Sequence, residues 1–143
     1  MTRRLYWTVF SVLAVLATKR RHRILLVEDD LLTRRIHLRF LHRLGYPCDT
    51  AANGREAVEA ARKRDYDFVF MDVQMPVMDG FEATRELRKL GPKTPYIVAI
   101  TGSTMAGDRQ RCIEAGMDDY LAKPVRLDAL ARKLDPPPEG EAP

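Results

Sequence analysis

Short apolar runs and helix-like segments alternate strictly along the chain from Arg23 to about Asp135. The apolar runs are nearly continuous, which is typical of parallel strands whose two faces are both covered by helices. Right-handed crossovers between such strands leave few topologies. We therefore predict one α/β domain with five parallel strands and five helices. The predicted strands are Ile24–Val27, Pro47–Ala52, Asp67–Asp72, Tyr96–Ile100 and Tyr120–Ala122.

The first predicted helix covers Leu31–Leu44 and is rich in arginine. Leu32, Ile36 and Phe40 recur every four residues, which predicts that they form the buried face. His37 lies among arginines, and we predict a solvated position for it.

The other predicted helices are also amphipathic, with apolar residues at helical spacing. The residues expected to face the core are Ala57, Val58 and Ala61 in the second helix, Phe81, Leu87 and Leu90 in a helix over Phe81–Leu90, and Leu127, Leu130 and Leu134 in the last helix, while Gly107–Ala115 is predicted as a short helix.

The chain has 143 residues and a net charge of +4, which fits one ordinary domain with short tails. We place the domain at residues 23–135 and expect the Pro-rich tail, 136–143, to be disordered. Much of the positive charge lies before the domain or at its first residue, in Arg3, Arg4 and the run 19–23. The composition therefore indicates no direct nucleic-acid partner.

Residues 1–22 form an apolar and basic segment, within which Leu5–Thr18 carries no charge. As a helix this stretch would reach about 21 Å, which is short of the roughly 30 Å core of a bilayer. A membrane-associated helix, a signal peptide and a remnant without function all stay open. The basic run after it disfavours export and would place the domain on the cytoplasmic face of a membrane. Two isolated cysteines also fit a reducing cytoplasm.

Polar side chains follow four of the five predicted strands. Glu28 and Asp29 follow the first strand, Asp72 ends the third, Thr101 follows the fourth and Lys123 follows the fifth. Because the carboxyl ends of parallel strands meet at one edge of the sheet, where ligands of such folds bind, we expect these side chains to converge.

Three neighbouring carboxylates repel one another unless a cation lies among them. Hard oxygen ligands favour Mg²⁺, which needs only two or three carboxylates because it retains water and accepts phosphate oxygens. Lys123 and Thr101 add a charge and a hydroxyl for further phosphate oxygens. The set therefore suits transfer of a phosphoryl group to a carboxylate, with Mg²⁺ as the cofactor.

Four pieces of the sequence, "ILLVEDD", "FVFMDVQMPVMDG", "IVAITGS" and "DDYLAKPV", resemble the receiver domains of two-component response regulators. They occur in the family's order and cover nearly all of 23–135, and they look most like receivers of hybrid sensor histidine kinases. The resemblance implies a flavodoxin-like, doubly wound sheet with strand order 2-1-3-4-5. It also implies a signalling module rather than an enzyme.

The resemblance implies that Asp72 is the phosphoacceptor, which takes its phosphoryl group from a histidine kinase or a histidine phosphotransfer domain. Glu28, Asp29, Asp72 and the backbone carbonyl of Gln74 would hold Mg²⁺. Lys123 would pair with a phosphoryl oxygen and would be followed by a cis peptide bond.

For activation, the resemblance implies that Thr101 moves toward the phosphoryl group and that Tyr120 turns inward as the aromatic switch. Gln74 and Ser103 would flank the path of the attacking water and so tune the lifetime of the phosphoaspartate. A phosphorylation-dependent dimer stays open. Asp30 departs from the asparagine that is common at this place in hybrid-type receivers, without loss of a required group.

Two other functions stay open. A phosphorylation-independent interaction module would use the same fold, although every acceptor-site group is present. An aspartate-nucleophile phosphatase is less favoured, since it would carry its nucleophile on the first strand and would need a longer insertion as a cap. The arginine-rich face of the first helix is interpreted either as solvated surface or, by resemblance, as a docking face for the phosphohistidine partner.

Overall fold

The computed structural model describes residues 22–102 and 106–135, and within them strands and helices alternate as the sequence predicts. The bounds of most elements differ from the predicted ones by one or two residues. The elements in chain order are β1 Ile24–Val27, α1 Leu31–Arg43, β2 Cys48–Ala51, α2 Gly54–Lys63, β3 Phe68–Asp72, α3 Gly80–Arg88, β4 Tyr96–Thr101, α4 Ala106–Ala115, β5 Asp119–Ala122 and α5 Leu127–Leu134.

The five strands form one parallel sheet in the order β2-β1-β3-β4-β5. The fold class, the parallel pairing and the strand order are thus confirmed. The order reverses direction between β1 and β3, and in sheets of this kind ligands bind beyond the carboxyl ends of the strands at such a point.

Two hydrophobic layers enclose the sheet. On one face, alternate strand residues such as Val69 and Ala99 pack against α2, α3 and α4. On the other face, the intervening residues such as Phe70 and Val98 pack against α1 and α5. Because both faces are covered, the central strands β1, β3 and β4 are apolar almost throughout. This is the pattern from which the sequence predicted them as strands.

Local signals fix the ends of the helices near the site. Asp30 and Asp79 are the N-caps of α1 and α3, and their carboxylates accept hydrogen bonds from the backbone N–H groups of Thr33 and Glu82. Gly45 ends α1 with a φ of 94°, in the left-handed region that glycine adopts without steric cost. These caps set where each helix begins relative to the strand end before it.

The predicted buried face of α1 is wrong. Leu32 and Ile36 are 69% and 43% exposed, whereas His37 and Leu41 are buried. The helix carries two apolar stripes, and only the stripe through His37 and Leu41 faces the sheet. The prediction that His37 is solvated is therefore wrong as well. Phe40 lies between the two stripes and is half-buried.

Two smaller corrections concern residues at the ends of elements. Leu90 is 41% exposed because α3 ends at Arg88, before the helical spacing brings residue 90 back to the sheet. Tyr96 is also 41% exposed, because it begins β4 at the rim of the sheet. The other residues of β4 are buried as predicted.

Three sequence predictions lie outside the described residues: the Leu5–Thr18 segment, Ser103 and the 136–143 tail. Across residues 22–102 and 106–135, the helices are all too short or too polar to cross a membrane. The peptide bond between Lys123 and Pro124 is cis, as the resemblance implied.

Candidate functional site

The strand ends bring the predicted acids together. Glu28, Asp29 and Asp72 each offer a carboxylate oxygen, and these oxygens all lie within 4.8 Å of one another. Neighbouring strands β1 and β3 end side by side, with Val27 paired to Met71, so the residues that follow them share one edge of the sheet. The convergence that the strand ends predicted is thus present for the three acids.

Glu28 is an acid in an apolar position, with only 1% of its surface exposed. Burial, and next to it the negative charge of Asp72, raise the pKa of Glu28 from 4.5 to about 7. Its Oε1 accepts a hydrogen bond from the backbone N–H of Asp30 at 3.2 Å. Its Oε2 has no hydrogen-bond donor among the described residues.

Asp72 is equally buried, with 2% of its surface exposed, but its carboxylate accepts more hydrogen bonds than that of Glu28. Lys123 Nζ donates to Asp72 Oδ1 at 3.1 Å, and the backbone N–H of Gln74 donates to the same oxygen at 3.3 Å. The lysine also lies 3.9 Å from Glu28 Oε2, which is a charge contact and too long for a hydrogen bond. One lysine thus faces two buried carboxylates.

The cluster fits a divalent cation. Three carboxylates meet one nearby ammonium group, so negative charge is left over, and a buried oxygen of Glu28 has no donor. An unpaired buried carboxylate oxygen is costly unless a cation or proton neutralises it. The ligands are all oxygen, which suits Mg²⁺ rather than a soft metal.

A tight loop after β3 shapes the wall of the site, and the role of Gly80 in it was not predicted from the sequence. Gly80, the first residue of α3, packs against the backbone of β3: a Cβ there would lie 2.3 Å from the carbonyl oxygen of Asp72. Its N–H donates to the carbonyl of Val73 at 3.1 Å. Position 80 therefore requires glycine, because no side chain fits there.

The same loop is held against α2. Val77 has a φ of 71°, which is unusual for a β-branched residue and costs on the order of 1–3 kcal/mol. The turn at Val77 directs the carbonyl of Met78 toward Gly54, whose N–H donates to it at 3.1 Å. The loop beside Asp72 is therefore strained at Val77, is closed by the bond between Gly80 and Val73, and is held to α2 by the bond between Gly54 and Met78.

Thr101 and Tyr120 lie on the same face of the sheet. In the register of β4 and β5, Thr101 is opposite Ala122 and Ala99 is opposite Tyr120, so the two side chains are diagonal neighbours. Thr101 is buried at the carboxyl end of β4. Tyr120 is half-buried, and the guanidinium of Arg109 lies 5.6 Å from its ring centroid.

A cleft of about 620 Å³ opens beside the acids, between the β3–α3 loop, the end of β4 and α4. Gln74, Thr101 and Gly102 line one side of it, and Arg111 lies on the other with its guanidinium 4.6 Å from the ring centroid of Phe81.

Comparison with known proteins identifies the class to which this fold and site belong. Residues 24–135 match the family model described as the response regulator receiver domain. The chain belongs to that family, as the resemblance implied. Receiver domains of this family are modules of two-component systems.

Individual relatives agree. Two-component system protein A of Emericella nidulans is 45% identical over 117 residues, which cover 80% of this chain but only 17% of that protein. Other matches include proteins named sensor histidine kinase and hybrid signal transduction histidine kinase, of which the chain likewise covers a small part. The similarity therefore concerns one domain of much longer proteins.

Two solved structures bear on the site. The receiver domain of sensor histidine kinase PA1611 from Pseudomonas aeruginosa has a magnesium ion coordinated in its active site cleft; it is 41% identical, with a TM-score of 0.72, and the match covers 79% of this chain and 93% of that one. The Saccharomyces cerevisiae co-crystal structure of Ypd1, a histidine phosphotransfer protein, and the Ssk1 receiver domain matches with 32% identity, a TM-score of 0.75 and coverage of 80% and 87%.

Proposed function

We propose that this chain is a phosphoacceptor, in which Asp72 accepts a phosphoryl group from a phosphohistidine of a histidine kinase or histidine phosphotransfer protein. The observation that supports this most is the buried cluster at the sheet edge. Three carboxylates lie within 4.8 Å, one of them has an oxygen without a donor, and a lysine contacts Asp72. Buried carboxylates that repel one another destabilise the fold, and phosphoryl transfer is a function that requires them.

In the transfer, an oxygen of the Asp72 carboxylate attacks the phosphorus atom. A P–O bond forms as the P–N bond to the histidine breaks, and the histidine nitrogen leaves with the bond's electron pair. The hydrogen bonds from Lys123 and Gln74 to Oδ1 hold the carboxylate in one orientation for the attack. Lys123 then pairs with a phosphoryl oxygen, where its charge offsets the negative charge brought to the edge.

Glu28, Asp29, Asp72 and the backbone carbonyl of Gln74 would hold Mg²⁺. The bound ion would supply positive charge for the phosphoryl oxygens. The protein's part is to keep its carboxylates ionised and close together, which the burial of Glu28 makes unfavourable without a cation. The magnesium ion described in the cleft of the PA1611 receiver supports this assignment.

The switch is proposed for Thr101 and Tyr120. Phosphorylation would draw the Thr101 hydroxyl toward the new phosphoryl oxygens, and the space that it vacates would admit the Tyr120 ring. Their diagonal placement on one sheet face supports this coupling. Gln74, which lines the cleft, and Ser103 would tune hydrolysis of the phosphoaspartate. The reactions that the chain catalyses would be only its own phosphorylation and dephosphorylation.

The partner surface is proposed to be the outer face of α1. Leu31, Leu32 and Ile36 are 52%, 69% and 43% exposed, and arginines follow them along the helix. This apolar patch begins directly after the site acids, because Asp30 caps the helix. A phosphohistidine domain that docks on α1 would therefore present its histidine to Asp72, and the Ypd1–Ssk1 co-crystal structure supports such a partner.

The site assignment is tested by treating the chain with Mg²⁺ and a small phosphodonor such as phosphoramidate and by measuring intact mass. The wild type should gain one phosphoryl group, and the gain should disappear in Asp72→Asn and in excess EDTA. Asp79→Asn is the matched control, since it changes an acid of the same loop and keeps a good helix cap. Label that persists in Asp72→Asn would refute the proposal, and turnover of unrelated phosphate esters would favour a phosphatase.

A cytoplasmic location, membrane contact through Leu5–Thr18 and a phosphorylation-dependent dimer stay predictions. The free thiols of Cys48 and Cys112, one half-buried and one buried, support a reducing compartment. Membrane fractionation of the full chain beside a version that starts at Arg23 would test the role of the first segment.

A further inference from the structure

Arg34 is an α1 residue whose side chain turns back toward the site. Its Nη1 donates to the backbone carbonyl of Glu28 at 3.1 Å, and its own N–H donates to the carbonyl of Asp30 at 2.9 Å. It is half-buried, whereas its neighbour Arg35 is exposed. Arg34 thus spans the turn that carries the first two acids.

The bond from Arg34 constrains the metal ligands through the backbone. The Glu28 side chain has one oxygen bound by the N–H of Asp30 and one oxygen without a donor. A fixed main chain at Glu28 therefore adds to the bond from the Asp30 N–H in directing the carboxylate at a cation. The bond to the Glu28 carbonyl supplies such a constraint.

The guanidinium charge acts in the opposite sense. A positive charge near a carboxylate cluster lowers its attraction for a second cation. Its reach is visible at Asp30, whose pKa is lowered mainly by hydrogen bonds from Thr33 and, more weakly, by the charges of Lys123 and Arg34. Geometry and charge thus predict opposite changes in Mg²⁺ affinity when Arg34 is removed.

We propose that Arg34 is a positioning residue of the divalent cation site, and that its bond to the Glu28 carbonyl raises Mg²⁺ affinity by more than its charge lowers it. This role rests on the proposed function, because it requires the acids to bind Mg²⁺. It differs from a docking role for the arginine-rich face, since it needs no partner protein. Positioning contacts of this kind typically change metal affinity 10–100-fold, and we expect about tenfold here.

The test is an Mg²⁺ titration followed by amide NMR shifts of the full chain, with Arg34→Ala, Arg34→Lys and Arg35→Ala beside the wild type. Arg34→Ala should bind about tenfold more weakly, Arg34→Lys should lie between it and the wild type, and Arg35→Ala should bind equally or slightly more tightly. Arg35→Ala removes the same charge without the contact. Thermal unfolding in EDTA should differ little between Arg34→Ala and Arg35→Ala.

Equal or tighter Mg²⁺ binding by Arg34→Ala would overturn the inference, because charge would then dominate. If Arg34→Ala does not fold, the comparison between Arg34→Lys and Arg35→Ala decides, with unchanged binding in Arg34→Lys counting against the role. A wild type that binds no Mg²⁺ would overturn the proposed function and this role together. Mg²⁺ binding by the wild type with no effect of Arg34 would overturn this role alone.

Discussion

The two edges of the sheet differ in how far their charged side chains are paired and hydrogen-bonded. At the amino edge of β4 and β5, Arg88 is half-buried and each of its five N–H groups has an acceptor: two bonds reach Gly116 O, and the others reach Thr94 Oγ1, Pro95 O and Asp118 Oδ2. All five bonds are between 2.7 and 2.9 Å. The charge of Arg88 is paired with Asp118, and all of its N–H groups are hydrogen-bonded within the chain.

At the carboxyl edge the equivalent set is incomplete. Three acids share one nearby lysine, and Glu28 Oε2 has no donor among the described residues. The amino edge thus stabilises the fold by itself, whereas the carboxyl edge leaves negative charge that the proposed Mg²⁺ would neutralise. Under the proposed function, the difference separates a structural polar cluster from one that gains a ligand.

Loss of Arg88 should give the largest effect on stability. Arg88→Ala leaves the Gly116 and Pro95 carbonyls and the Asp118 carboxylate without their shared donor, and we expect a loss of about 3 kcal/mol. Urea unfolding measures it. Arg85→Ala, an exposed change in the same helix, should cost less than about 0.5 kcal/mol. Equal stability of the two variants would show that the amino edge is not structural.

The carboxyl edge should show a pH-dependent cost instead. The folded state holds the Glu28 proton up to about pH 7, while the unfolded chain releases it near 4.5. The stabilising contribution of this group is therefore complete below pH 4.5 and is lost as the pH rises through 7. Without Mg²⁺, the wild type should lose on the order of 2 kcal/mol relative to Glu28→Gln between pH 5 and pH 8.

Urea unfolding in EDTA at several pH values measures this difference. Glu59→Gln, the same change at an exposed position of α2, is the control and should show no such trend. Because Mg²⁺ replaces the proton, the stabilisation of the wild type by Mg²⁺ should increase over the same pH range. A constant difference between wild type and Glu28→Gln would mean that the buried acid is neutralised within the chain.

The carboxyl edge was predictable from the sequence because its residues follow apolar runs directly. Parallel strands bring such residues together whatever the helices between them do. The amino-edge cluster was not predictable, because Arg88 bonds mainly to backbone carbonyls, which carry no mark in the sequence. Asp118 was likewise not predicted as part of this cluster, although it also accepts a bond from the N–H of Ile97 at 2.7 Å.

The packing of α1 shows a second limit of sequence reasoning. Both the stripe through Leu32 and Ile36 and the stripe through His37 and Leu41 have helical spacing, so periodicity could not choose between them. The choice depends on where the Asp30 cap starts the helix and how its first turn meets β1. The same orientation of α1 places the Arg34 side chain against the backbone of Glu28. Because periodicity did not fix this orientation, Arg34 was not predicted as a neighbour of the acids.

The smallest expected effect comes from changing one acid to its amide at each edge. Asp118→Asn keeps the shape but weakens the charge-assisted bonds from Arg88 and from the Ile97 N–H, and we expect a loss of about 1 kcal/mol. Asp72→Asn in EDTA weakens the contact with Lys123 but also removes repulsion from Glu28, so its stability should stay within about 0.5 kcal/mol of the wild type or exceed it. Urea unfolding at pH 8 compares them. If Asp72→Asn were the more destabilised of the two, the carboxyl edge would be a satisfied structural cluster like the amino edge, and its acids would not need a cation.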